Sequence, residues 1–123
     1  YCHPLFEVLI INKRKSMAVR VIADFTMKEG WCEKIRAMLE DEENGLNLTI
    51  KQEGCIDIDM AIDMDDPNRI ILTETWETRE HHGKYMEFRG SEGPEGVVAQ
   101  IVGNVSKEPA FSWSEVVYTP KRS

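Results

Sequence analysis

The sequence is poor in cysteine and has no long run of apolar residues. Its 123 residues include only three cysteines, Cys2, Cys32 and Cys55, and none of them forms a Cys-x-x-Cys spacing. An odd count without paired spacing argues against a disulfide framework or a structural zinc site, and reduced thiols are typical of the cytoplasm. No apolar run approaches the ~20 residues that a membrane span needs. We therefore expect a cytoplasmic protein without a membrane segment or a structural zinc site.

Basic residues are also scarce. The chain has 15 lysines and arginines and 22 aspartates and glutamates, which gives a net charge of −7. Nucleic acids and anionic membranes bind basic surfaces, so neither is an expected partner. Hydrophobic residues make up 41% of the chain and charged residues 30%, as in an ordinary globular domain. The length predicts one domain.

The first 16 residues differ from the rest of the chain. They end in the basic cluster Lys13-Arg14-Lys15, just before Met17. They are interpreted either as an extension, non-native in origin, or as an extra edge strand over residues 5–11. Residues 17–118 form the predicted domain, and residues 119–123 a polar tail.

Hydrophobic periodicity within residues 17–118 predicts the element order β-α-β-β-α-β. Apolar alternation indicates strands, and a spacing of three to four residues indicates helices. Strands are predicted over 17–25, 55–63, 69–76 and 111–118, and helices over 28–42 and 79–89, the second capped by Thr78. Shorter helical segments are expected at 46–52 and after Pro94. This order is the split βαβ arrangement, which predicts a ferredoxin-like α+β fold with helices on one face of a four-stranded antiparallel sheet.

The other face of that sheet is predicted to be unusually apolar for a surface in contact with water. A second copy of the chain could cover it through a two-fold interface, so a homodimer is expected. The residues assigned to this face are Ala18, Ile22, Ala61, Ile71, Thr73, Val116 and Tyr118, mixed with Arg20, Asp24, Asp57 and Asp59.

Four short motifs in order carry a family resemblance. Residues 17–23 followed by Lys28-Glu29-Gly30 are similar to a first strand that leads into a short turn at a glycine. Glu53-Gly54-Cys55-Ile56 is similar to an "E-P-G-C-L" entry to the second strand. Residues 65–69 are similar to a hairpin turn, and residues 74–80 are similar to the motif "E-x-W-x-S-x-E". With these motifs, residues 17–118 resemble the antibiotic biosynthesis monooxygenase domain of the dimeric α+β barrel group.

The resemblance implies a dimer with one pocket per subunit, between sheet and helices. It also implies oxidation of electron-rich aromatics by O2 without metal or flavin. Many members carry a histidine nine residues after the motif tryptophan, and Tyr85 stands there in this sequence. A related haem-degrading branch uses an asparagine on the first strand, and residues 17–25 contain none. Haem degradation is therefore disfavoured.

Glu74 and Trp76 are the first candidate site residues. They share a strand face with Ile70 and Leu72. A carboxyl group among apolar neighbours has a raised pKa and could act as a base, although it could instead be paired across a dimer or with backbone amides. The Trp76 ring could form a wall for an aromatic substrate or simply belong to the core.

The predicted second main helix supplies the other candidates. His82 and Tyr85 are three residues apart and share one helical face, so both could reach one pocket, His82 as a base and Tyr85 as a donor. His81 and Phe88 are assigned to substrate binding. In the alternative interpretation, His81, His82 and Tyr85 have only structural roles. At least one of them is then exposed on the surface, and another is partly buried with satisfied hydrogen bonds.

The leading functional prediction is a cofactor-independent monooxygenase acting on a small aromatic or quinol. Two alternatives stay open on the same scaffold, because a fold does not fix a function. One is a non-catalytic module that binds or senses a small molecule. The other is an isomerase that only transfers protons.

Overall fold

A computed structural model describes residues 17–122, so the interpretation of residues 1–16 lies outside the described part of the chain. Within this range four strands and four helices alternate as predicted. The strands are β1 (Val19–Thr26), β2 (Cys55–Ile62), β3 (Arg69–Trp76) and β4 (Ala110–Glu115), and the helices are α1 (Cys32–Leu39), α2 (Leu46–Ile50), α3 (Arg79–Gly90) and α4 (Val97–Gly103), with a 3-10 turn at Gly93–Glu95. None of these helices is long and apolar enough to cross a membrane.

The four strands form one antiparallel sheet in the order β2-β3-β1-β4. The two central strands are therefore the first and third along the chain, which confirms the predicted ferredoxin-like fold. In the register of the sheet, Val21 of β1 lies between Glu74 of β3 and Trp113 of β4. This pairing places the second half of β3 and the middle of β4 on either side of β1, where the candidate site is built.

The core lies between the sheet and the helices, on the face of the sheet that Ile70 and Leu72 share with Glu74 and Trp76. Alternate residues of β1 and β3 point into it, and α1 and α4 cover them. The buried members of this cluster are Ala23, Phe25, Met27, Cys32, Ile35, Leu39, Ile70, Leu72 and Val97.

Three predicted boundaries differ from the structure for local reasons. Helix α1 begins at Cys32 rather than Lys28, because Gly30 has a φ of 84° and the Trp31 amide closes a turn onto the Lys28 carbonyl. Strand β4 ends at Glu115, which pairs with Val19 at the start of β1. Pro94 opens only the short 3-10 turn, and α4 starts three residues later.

Ile56 also differs from the prediction. Strict alternation along residues 55–63 predicts Ile56, Ile58 and Met60 on the same, apolar face, but β2 is irregular between Cys55 and Asp57. Cys55 lies opposite Trp76 and Asp57 opposite Thr75, so Ile56 is the extra residue of a bulge and is half-exposed. The rest of β2 keeps the predicted alternation.

The segment between α1 and α2 makes a close approach at Gly45. The Gly45 amide donates to the Asp41 carbonyl, and a Cβ atom on Gly45 would overlap the backbone of Met38 and Leu39 at the end of α1. Only glycine can occupy this position while α1 stays in place.

We predict that Gly45→Ala lowers the free energy of unfolding by about 2 kcal/mol or more, because backbone would have to move to admit the methyl group. Gly83→Ala is the matched control. Gly83 lies within α3, and a Cβ there meets no atom within 4 Å. This variant should gain up to about 1 kcal/mol from alanine's helix propensity. Urea unfolding of both variants measures the contrast, and equal effects would contradict the close approach.

Candidate functional site

A cavity of about 130 Å³ lies between the sheet and the helices. Most of its wall is apolar and comes from β1, α4 and the start of β4. Three polar side chains complete it: Glu74 from β3, and His82 and Tyr85 from α3. A larger surface depression of about 460 Å³ is lined by α1 and the Gly93–Glu95 turn, and Glu74 and His82 lie outside it.

Glu74 presents its carboxyl group on the apolar face of the sheet. Its strand partners are Val21 and Ile58, and the residue is only 5% exposed. Burial raises the pKa of this carboxyl, while a hydrogen bond from Nε1 of Trp76 to Oε1 at 2.9 Å acts in the opposite direction. Because Glu74 and Trp76 are two residues apart on one strand, the local geometry of β3 creates this bond. Glu74 is therefore a buried acid with one fixed donor.

His82 faces Glu74 from the helical layer. Its Nε2 atom lies 3.8 Å from Oε1 of Glu74, which is too long for a direct hydrogen bond. Burial lowers the pKa of His82, and the charge of Arg79 lowers it further. The shifts of both groups are toward their neutral forms and so disfavour an ion pair between them.

Aromatic rings hold His82 in this position. Its imidazole meets the Trp113 ring edge-on at 4.9 Å and the Trp76 ring edge-on at 5.6 Å. The guanidinium of Arg79 lies 4.4 Å from the centre of the Trp113 ring. Trp113 thus contacts two side chains of α3, the exposed Arg79 and the partly buried His82.

Tyr85 reaches the cavity wall with its hydroxyl group already engaged. That hydroxyl lies 2.8 Å from Oγ1 of Thr49 and accepts a bond from Nε of Arg89 at 2.9 Å. Burial raises the pKa of Tyr85, and these two contacts lower it. When Thr49 is the donor, the phenolic proton of Tyr85 is free to point at a ligand.

Arg89 is the hub of this network and is only 2% exposed. Besides Tyr85, it donates to the carbonyls of Asn44 and Gly45, to Thr49 and to the carboxylate of Glu92, all at 3.0–3.1 Å. A planar guanidinium suits this role because it offers five donors in fixed directions. One side chain therefore connects the end of α3 with the α1–α2 connection and with α2.

The structure places the six site residues predicted from the sequence in different surroundings. Glu74, His82 and Tyr85 line the cavity together. Trp76 is fully buried behind them, 5.2 Å from the Tyr85 ring, where it holds Glu74. His81 lies elsewhere: its Nδ1 atom is 2.7 Å from the Thr78 hydroxyl, and its ring packs on Gly54. Phe88 is partly exposed and is not among the residues of the cavity wall.

Three residues of the site were not nominated from the sequence: Thr49, Arg89 and Trp113. Arg89 follows Tyr85 by four residues, so helical spacing already places both on one face. Trp113 lies on β4 with the parity of the inward-facing Phe111, a signal that alternation carries. Thr49 has no comparable signal, because its contact with Tyr85 joins residues 36 positions apart.

Comparison with known proteins agrees with this fold. The sequence model of the family "Antibiotic biosynthesis monooxygenase" matches residues 18–89, which is more than half of the chain and includes β1 through α3 with the three polar residues of the cavity. The chain belongs to this family. The predicted resemblance is thereby confirmed. No curated protein sequence matches the chain.

Solved structures share the fold at low sequence identity. A conserved protein from Methanosarcina mazei Go1 has a TM-score of 0.67 and 17% identity, covering 84% of this chain and 96% of its own. A protein from Nitrosomonas europaea, proposed to be an antibiotic biosynthesis monooxygenase, has a TM-score of 0.65 and 16% identity, covering 82% and 91%. Rv0793 from Mycobacterium tuberculosis has a TM-score of 0.63 and 23% identity, covering 86% and 99%.

We predict that Arg89→Met lowers the free energy of unfolding by at least about 3 kcal/mol, because two backbone carbonyls, Thr49 and Tyr85 lose a buried donor. Arg36→Met is the matched control. Arg36 forms an exposed i,i+4 pair with Glu40, with side chains about half-exposed, so its loss should cost less than about 0.5 kcal/mol. Chemical denaturation measures both values. Similar losses in the two variants would mean that the Arg89 network adds little stability.

Glu74 should make stability depend on pH in a defined direction. Its pKa is raised in the folded state, so the stability it contributes is present below the ordinary glutamate pKa of about 4.3 and is lost as pH rises through the folded value. Glu74→Gln removes this titration and keeps an oxygen for the bond from Trp76.

We predict that Glu74→Gln becomes progressively more stable than the wild type as the pH rises from 4 to 8. Urea unfolding across this range measures the difference. Glu87→Gln, an exposed position on the same helix as His82, is the control and should follow the wild-type profile. A difference in the free energy of unfolding between Glu74→Gln and wild type that stays constant with pH would contradict a raised pKa of Glu74.

Proposed function

We propose that the protein is a cofactor-independent monooxygenase that oxidises a small aromatic compound bearing a hydroxyl group. The observation that supports this most directly is the buried Glu74–His82 pair at the wall of an apolar cavity, in a chain of this family. Oxygenation without a cofactor requires that the substrate itself supply the electrons. The substrate must therefore become an electron-rich anion in a site that excludes water.

His82 is the proposed base. A neutral imidazole is able to accept a proton, and the lowered pKa of His82 keeps it neutral near pH 7. A phenolic hydroxyl placed beside the 3.8 Å gap could contact both Nε2 of His82 and the carboxyl of Glu74. Glu74, 3.8 Å from Nε2 of His82, is the proposed second contact that orients the substrate hydroxyl group. Tyr85 is the proposed donor to the negative charge that develops on the substrate oxygen.

The proposed reaction is balanced by the substrate and O2 alone. A phenol with an open para position and one O2 give a para-quinone and one water. One oxygen atom enters the ring and the other leaves in the water, while the ring loses its para hydrogen and its phenolic hydrogen. The protein contributes proton transfer, orientation of the substrate and exclusion of water. His82, Glu74 and Tyr85 have the roles proposed above in these steps.

A homodimer through the outer face of the sheet, the face turned away from the helices, is part of this proposal. One cluster of charges on this face is paired within the chain: Arg69 contacts Asp24 at 2.6 Å and Asp63 at 2.7 Å, and the hydrogen bonds from Arg69 lower the pKa of Asp24. Arg20 donates to Thr75. Ile22, at the centre of this face, stays 36% exposed. Internal pairing of charges lowers the cost of covering such a face with a second copy.

We predict that metal-stripped protein consumes O2 with a small phenol whose para position is open and that His82→Asn lowers the rate by at least about a hundredfold, the usual contribution of a general base. His81→Asn is the matched control, because His81 precedes His82 but contacts Thr78 and Gly54 outside the cavity. An oxygen electrode, corrected for autoxidation, measures the rates.

Three outcomes would contradict the assignment. Loss of activity in His81→Asn but not in His82→Asn would place the site elsewhere on α3. Saturable binding without O2 uptake would favour a binding module. Rearrangement of a substrate without O2 uptake would favour an isomerase.

We predict that Ile22→Lys converts the dimer into monomers, because two copies would each bury an unpaired ammonium group at the centre of the interface. Met64→Lys is the control, since Met64 is 99% exposed on the β2–β3 hairpin and off the sheet face. Sedimentation velocity measures the mass. A monomeric wild type, or a dimer that survives Ile22→Lys, would contradict the proposed interface.

A further inference from the structure

We infer that the cavity admits one aromatic ring carrying an uncharged hydroxyl group and excludes fused ring systems and anionic rings. This inference deepens the proposed function and rests on the same cavity. It concerns which aromatic compounds the site can take, and the argument has three parts: volume, rigidity of the wall and charge.

The volume suits one ring. At about 130 Å³, the cavity is close in size to an apolar protein cavity of about 150 Å³ that binds benzene. A second fused ring would need space that the wall does not provide. Aromatic side chains contribute to this wall, with Phe25 on the sheet side and Tyr85 on the helix side. Such a wall favours a flat ring through offset or edge contacts.

The wall is unable to expand easily on its inner side. Ala23, Phe25 and Leu72 belong to the two central strands, and Leu39 and Val97 are buried in the helical layer that covers them. Close-packed cores of this kind do not yield space without cost. The outer side differs, because Val102 and Phe111 line the cavity and are 63% and 57% exposed. A ring would enter between α4 and β4, and a small substituent could remain there.

The charge of the wall selects against anions. Among the described residues, the lining includes no lysine or arginine, and its acidic member is Glu74. A carboxylate on the ring would lose its water without gaining a counter-ion, which is costly in an apolar site. A hydroxyl group suffers no such penalty, because Glu74 and His82 offer it two partners at the inner wall.

The test is a size and charge series measured by calorimetry under argon, so that binding is observed without turnover. The probes are para-cresol, a naphthol, a phenanthrol and para-toluate. We expect the wild type to bind para-cresol and to bind each of the other three at least about tenfold more weakly.

Two variants change the cavity in opposite directions. Ala23→Leu places extra atoms in the cavity and should abolish para-cresol binding. Met86→Ala removes part of the wall and should raise naphthol affinity at least about tenfold. Met38→Ala is the matched control, because Met38 packs on the same core but is not part of the wall. Its affinities should equal those of the wild type.

The outcomes separate this inference from the proposed function. Wild-type binding of a naphthol or para-toluate as tight as that of para-cresol would overturn the inference, and so would para-cresol binding that Ala23→Leu leaves intact. Oxygen uptake in air with only two-ring or three-ring phenols would overturn it while retaining the monooxygenase. One-ring binding in the expected series, without O2 uptake in air from a one-ring phenol whose para position is open, such as ortho-cresol, would retain the inference and overturn the monooxygenase.

Discussion

The arrangement of the helical layer depends on one buried guanidinium group. Arg89 loses nearly all contact with water, so the surrounding chain must supply acceptors in its fixed directions. The α1–α2 connection supplies two carbonyls, and α2 and α3 supply the hydroxyls of Thr49 and Tyr85. Meeting this requirement brings α2 against α3 and brings the Gly45 backbone against the end of α1. The same contacts hold Tyr85 at the cavity wall, so the geometry of the site is a consequence of how one charge is satisfied.

Glu74 is the complementary constraint, within the sheet. An apolar residue at this position would suit the apolar face of β3 better, because burial disfavours the charged carboxylate. Burial shifts the carboxyl group toward its neutral form, and Trp76 gives it one donor. Local departures from the rules that stabilise a core are characteristic of functional sites. Here the departure lies opposite His82, whose own burial favours the neutral imidazole, so burial shifts both members of the pair away from a standing charge.

Sequence patterns predicted the elements well and the side-chain partnerships poorly. Period-two alternation found all four strands, and Thr78 was recognised as the cap of α3, where its hydroxyl accepts a bond from the His81 amide. Alternation misplaced Ile56, because a bulge leaves no sign in an otherwise regular apolar pattern. His81 and His82 were nominated together, but they point in different directions on a helix. Their separation into a capping contact and a cavity residue depends on which face of α3 packs on the sheet.

The sequence by itself determined the fold, the family and the faces of the strands, because these follow from local spacing and from motifs that are continuous along the chain. It also determined that Glu74 and Trp76 share a face and that His82 and Tyr85 share another. Only the tertiary structure decided that these two faces meet across one small cavity, that Trp76 lies behind it and that Arg89 and Thr49 hold Tyr85. Distances between residues far apart in the chain are set by how whole elements pack, and no local pattern encodes that packing.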